Sequence, residues 1–86
     1  MAISVTNSAS NPVEVAINHW GTDGDTSFFS VANGKQETWD RSDLRGFVMS
    51  VQKNGAQHPY YVLSTSNIVI YDDKVTDSGQ TLLPLS

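Results

Sequence analysis

Apolar and polar residues alternate with a period of two along most of the chain. Ile3 and Val5 alternate with Ser4 and Thr6. Val13, Val15 and Ile17 alternate with Glu14, Ala16 and Asn18, and Phe47, Met49 and Val51 with Val48, Ser50 and Gln52. Ile68 and Ile70 form a shorter set, with Val69 and Tyr71 on the opposite face. Successive side chains of a strand point to opposite faces, so each set predicts a strand with one buried face. No stretch sustains apolar residues at i, i+3, i+4 and i+7, and no long helix is expected.

Turn residues cut these sets into short pieces. Asn33-Gly34 and Asn54-Gly55 are two-residue hairpin signals, because a type I′ turn needs positive φ at both central positions. The first predicts a hairpin joining a strand near 26–32 to one near 35–39, and the second joins 46–53 to 57–63. Asn11-Pro12, Asp23-Gly24 and Ser78-Gly79 mark further turns. The expected strands lie near 2–6, 12–19, 26–32, 35–39, 46–53, 58–63, 67–72 and 80–83. About seven or eight short, evenly spaced strands predict an all-β fold, a small antiparallel β-sandwich in which residues 1–86 form one domain.

Composition narrows the picture. A chain of 86 residues buries only roughly 60% of the surface that its unfolded form exposes, so the core is thin. The absence of cysteine removes disulfide staples, thiolate zinc sites and cysteine nucleophiles together. It points to a reducing compartment, or to stability gained by oligomerisation. The first residues carry no basic stretch or apolar run of signal-peptide length, and no Asn-x-Ser/Thr sequon is present. No window approaches the roughly 20 apolar residues of a membrane span. The expected location is the cytoplasm. Nine acidic against five basic residues give a net charge of −4, which argues against a nucleic-acid partner.

Candidate chemistry is sparse. The histidines are His19 and His58, and no GxSxG, HExxH or P-loop is present, so no catalytic residue and no cofactor are assigned. Thr22-Asp23-Gly24-Asp25-Thr26 and the cluster of Asp72, Asp73 and Asp77 read either as calcium ligands or as solvated acidic turns capping backbone amides. Neither supplies a full EF-hand loop, and no metal ligand is assigned. The run from Glu37 to Phe47 concentrates Trp39, Asp40, Arg41, Asp43 and Arg45. In a structural reading Arg41 pairs with Asp43 or Asp40, and Gly46 admits a tight bend. In a binding reading Trp39 offers an apolar face, and Arg41 or Arg45 offers planar donors to a sugar or phosphate. Of the adjacent pairs Phe28-Phe29 and Tyr60-Tyr61, one member each is expected to face away from the core. Trp20, beside Gly21 at a strand end, is the first choice for an exposed binding aromatic.

The opening Ile3-Ser4-Val5-Thr6-Asn7, the segment Val13 to Trp20, and the run Asn33-Gly34 through Trp39-Asp40-Arg41-Ser42-Asp43 to Arg45-Gly46-Phe47 resemble small proteins of mushroom-forming fungi. More distantly they resemble aegerolysins and actinoporin-like fruiting-body lectins. The resemblance implies a β-sandwich made without a signal peptide that oligomerises and recognises membrane lipids or glycans. The chain is shorter than those domains, and residues 1–6 read as a strand in place of the amphipathic helix with which actinoporins make pores. Pore formation is therefore not carried over.

The expectation is a lectin-like protein of defence or recognition that binds a glycan or a lipid headgroup. Trp20 and Trp39 would act as stacking platforms, Arg41 and Arg45 as donors, Asp43 as their orienter or as an acceptor, and Tyr60 as a further binding aromatic. A membrane surface is a second partner to consider, and avidity would come from a homo-oligomer. The rivals are a self-assembling structural or storage protein, and an inhibitor that inserts the Asn54-Gly55 hairpin tip into a foreign hydrolase.

Overall fold

The computed structural model describes residues 2–18 and 27–85. Among them nine strands form: β1 (Ala2–Asn7), β2 (Val13–Ile17), β3 (Phe29–Val31), β4 (Gln36–Asp40), β5 (Phe47–Lys53), β6 (Ala56–Val62), β7 (Asn67–Ile70), β8 (Val75–Asp77) and β9 (Gln80–Leu82). They make two sheets, ordered β4-β1-β7-β8-β9 and β3-β2-β5-β6. The alternating sets supply the layer between the sheets. Ile3, Val5, Ile68 and Ile70 come from one, and Val15, Ile17, Met49 and Val51 from the other, all fully or almost fully buried. The all-β sandwich is therefore the observed fold class.

The strand pairing departs from the expected one in three places. First, β1 pairs β7 in parallel, with Val5 opposite Ile68, so the sandwich is not wholly antiparallel. The chain between them passes through the whole of the second sheet, which frees it from the antiparallel return that a hairpin imposes. Second, Val75–Asp77 forms a strand where the sequence showed an acidic turn region; it is three residues long, too short for periodicity to register. Ser78 and Gly79 both adopt positive φ, +50° and +87°, and join it to β9.

Third, Asn33-Gly34 is not a hairpin. β3 pairs β2 in one sheet, while β4 pairs β1 in the other, so the turn carries the chain across the sandwich. Positive φ is found at Gly34 (+80°) but not at Asn33, whereas Asn54 (+51°) and Gly55 (+80°) both have it, as a type I′ hairpin turn requires. The Asn33-Gly34 turn closes by Lys35 N–H donating to the Ala32 carbonyl at 3.0 Å. It is held to β1 by Gly34 N–H donating to Asn7 O at 2.7 Å and Asn7 N–H donating to Lys35 O at 2.9 Å. The second predicted hairpin forms as expected, with Lys53 opposite Ala56.

Asn7 is the polar pin of this crossover. Its fully buried side chain donates to the carbonyls of Val31 (2.8 Å) and Asn11 (2.9 Å) and accepts from Ala9 N–H (2.8 Å). One amide thus satisfies backbone groups from β3 and from the β1–β2 connection, as a buried polar group must.

Candidate functional site

The predicted site residues do not converge. Trp20 lies outside the described residues, as do His19, Asp23 and Asp25. Trp39 is only 5% exposed, because β4 turns it inward opposite Ile3, where it joins the core. It is not an exposed platform. Arg41 is 7% exposed, and its guanidinium binds main-chain carbonyls. Nε donates to Asn18 O at 3.0 Å, Nη2 to Ile17 O at 3.0 Å, and Nη1 to Asp40 O at 3.1 Å. Arg41 therefore caps the end of β2, where the carbonyls pass beyond the ladder that would satisfy them.

Asp43 and Arg45 form the ion pair of this segment. Arg45 Nε donates to Asp43 Oδ1 at 3.0 Å and Nη2 to Oδ2 at 2.8 Å, a two-pronged fit of fork to carboxylate. Asp43 Oδ1 also accepts Arg45 N–H at 2.8 Å. The guanidinium, and then the amide of Arg45, hold the Asp43 carboxyl below the ordinary carboxylate range. Arg45 is exposed and Asp43 partly so, and the pair orients Arg45 more than it stabilises the fold.

Tyr60 is buried opposite Met49, and burial raises its hydroxyl pKa. Its neighbour Tyr61 is the outward member, 50% exposed. The sequence could not choose between them, since Tyr61 and Leu63 are as apolar as Tyr60 and Val62. The phenylalanine pair splits as expected in direction: Phe28 lines the outer face, while Phe29, opposite the buried Val15, turns toward Trp39. Both rings stay partly exposed, Phe28 at 39% and Phe29 at 42%, at the edge strand of the sheet. Phe29 rests edge-on against Trp39, ring centres 6.0 Å apart at 75°.

In the second acidic cluster, Asp72 and Asp77 serve turns. Asp72 accepts Ser10 N–H (2.9 Å) and Ser10 Oγ–H (2.7 Å). Asp77 accepts Ser66 Oγ–H (2.6 Å) and Asn67 N–H (3.1 Å). Among the described residues no group of three or more His, Cys, Asp or Glu side chains comes together as a metal site.

Among the described residues, surface depressions lie on both sheets. One, of about 220 Å³, runs along β4 from Glu37 to Arg41 with Phe29 as its far wall. The other, of about 270 Å³, lies on the outer face of the four-stranded sheet. It is lined by Phe28, Ala16, Asn18, Val48, Ser50 and Gln57. Register explains the grouping: Ala16 is opposite Ser50, Ser50 opposite Pro59, and Val48 opposite Tyr61, all on one face. Phe28 thus stands at the β3 side and Tyr61 at the β6 side. They are three strand spacings apart, about 14 Å measured across the strands, with Ala16, Val48 and the uncharged side chains of Asn18 and Ser50 between them. None of the residues lining this depression carries a formal charge.

Compared with models of protein families, with curated proteins and with solved structures, the chain matches none. Among the described residues no helix is long and apolar enough to cross a membrane.

Proposed function

We propose that the outer face of the four-stranded sheet binds a neutral glycan. The observation that carries this reading is the pair of exposed rings, Phe28 and Tyr61, on one face with Asn18 and Ser50 between them and Gln57 further along β6. Sugars present apolar C–H faces to aromatic rings and hydroxyls to amides and hydroxyls, and this strip offers both partners. The resemblance to fungal fruiting-body lectins points the same way.

A phosphate-bearing lipid headgroup has less support. Arg41 is engaged by backbone carbonyls and Arg45 by Asp43. Lys53 Nζ donates to the carbonyls of Tyr71 (2.7 Å) and Asp72 (3.3 Å). The net charge of −4 disfavours an anionic surface as well.

The test is a glycan array probed with the labelled protein, repeated with Phe28→Ala, Gln57→Ala and Tyr61→Phe. The expected result is binding to a related group of neutral sugars, lost in Phe28→Ala, weakened in Gln57→Ala and retained in Tyr61→Phe, which keeps the ring. A blank array with the folded protein, or binding that Phe28→Ala leaves untouched, overturns the reading. Co-flotation of the same samples with zwitterionic and anionic vesicles would then identify a lipid surface.

A further inference from the structure

The two sheets have four edges among the described residues, and three are blunted. β3 and β9 are three residues long. β6 contains Pro59, whose carbonyl accepts Leu85 N–H at 2.8 Å from the chain crossing that edge. β4 is different. It has five residues, no proline, no lysine and an unbroken register against β1 from Ala2–Asp40 to Thr6–Gln36. Its charged residues are Glu37 and Asp40, and an edge of this length with neither proline nor lysine is a template for a strand that complements those acids.

The alternation of the antiparallel ladder shows which groups that template offers. Asn7 N–H donates to Lys35 O, so Lys35 turns its backbone toward β1. Stepping by two, Glu37 and Trp39 do the same, while Gln36, Thr38 and Asp40 turn theirs outward, the Asp40 carbonyl already accepting Arg41 Nη1 at 3.1 Å on one lone pair. Gln36 and Thr38 are exposed, so among the described residues this edge stands open.

We propose that β4 pairs antiparallel with β4 of a second copy of this chain, with Thr38 on the two-fold axis. The segment is self-complementary in that register. Thr38 meets Thr38, Gln36 meets the partner strand's Asp40, and Glu37 meets its Trp39. No acid opposes an acid. Glu37 and Trp39 share one face of β4 and Arg41 follows its end, so the Glu37 carboxylate of one copy meets the depression lined by Phe29, Trp39 and Arg41 of the other, where Arg41, its N–H groups held by carbonyls, contributes its positive charge. The same contact covers Phe29, which the monomer leaves 42% exposed. The five-stranded sheets become one continuous sheet, the isologous closure typical of dimers. The inference is independent of what the outer face of the other sheet binds.

Sedimentation equilibrium over a range of concentrations tests it first, with the wild-type chain and Thr38→Lys. Lysine on an edge guards it in the monomer without removing any core group. The expected result is a wild-type dimer whose dissociation constant rises at least about 30-fold in Thr38→Lys, with an unchanged far-UV circular dichroism spectrum. Glu37→Arg sets like charges together near Arg41 and should weaken the dimer similarly. The chain has no cysteine, so a single Thr38→Cys gives an unambiguous second readout. Opposed residues of a hydrogen-bonded pair have Cα atoms about 5.5 Å apart, within disulfide reach. Mild oxidation should therefore link Thr38→Cys into a covalent dimer and leave Thr81→Cys, on β9, monomeric in a denaturing gel. A wild-type monomer at all concentrations, a dimer indifferent to Thr38→Lys, or equal cross-linking of the two cysteine variants would each overturn the proposal.

Discussion

The Tyr61 hydroxyl donates to the Arg45 carbonyl at 2.9 Å, laying its ring over the place where a side chain at position 46 would stand. Gly46 adopts φ +88°, and a Cβ built there lies 2.7 Å from Cε1 of Tyr61. Glycine at 46 thus satisfies two demands at once, a left-handed backbone and a ring packed against it.

Gly46→Ala should accordingly destabilise the fold by about 2 kcal/mol, through backbone strain and displacement of the ring. Urea unfolding measures the loss. The double variant Gly46→Ala, Tyr61→Ala should be less destabilised than the sum of the two single changes, since removing the ring removes the clash but not the strain. Strict additivity would mean that ring and backbone do not meet.

Asn7→Leu should cost about 3 kcal/mol although leucine is apolar and the site is buried. The Val31 and Asn11 carbonyls and the Ala9 amide would all lose their partner inside the sandwich. Chemical denaturation gives the magnitude. A neutral outcome would show that water replaces the amide.

Arg41→Lys should lower stability by about 2 kcal/mol, because one ammonium cannot reproduce the fork that reaches the Ile17 and Asn18 carbonyls together. At temperatures where the variant is fully folded, its affinity for any glycan found on the array should match that of the wild type. A fold-neutral loss of affinity would return Arg41 to the role of ligand donor.

Acid should weaken the link between the β1–β2 connection and the turn after β7. The Ser10 hydroxyl and amide, with Lys53 adding its charge, hold the Asp72 carboxyl below the ordinary carboxylate range. A lowered folded-state pKa gives stability that is present above the ordinary Asp value of about 3.9 and lost as pH falls through the lowered one. Unfolding midpoints measured down through that acid range should fall less steeply in Asp72→Asn than in the wild type. Identical pH profiles would remove Asp72 from the account.

Local pattern was enough for the strands themselves. Period-two alternation at Ile3-Val5, Val13-Val15-Ile17 and Phe47-Met49-Val51 identified both the elements and their buried faces, because burying one face of a strand is a property that each segment carries alone. Asn54-Gly55 likewise announced its hairpin, since the positive φ it needs is a local conformational preference. The partners of the strands were not legible. Asn33-Gly34 offered the same local signal, yet the chain there crosses between sheets because Asn7 and β1 bind the turn from a distance. Tyr60 and Tyr61 were interchangeable by sequence until the register of β6 against β5 put Met49 behind one and Val48 beside the other. Trp39 and Arg41 carried the composition of a binding site, and their burial depends on where β4 lies against β1 and where the end of β2 leaves its carbonyls. Alternation fixes which side chains share a face; only long-range pairing decides which faces meet, and with them which aromatic and charged groups are left to meet a ligand.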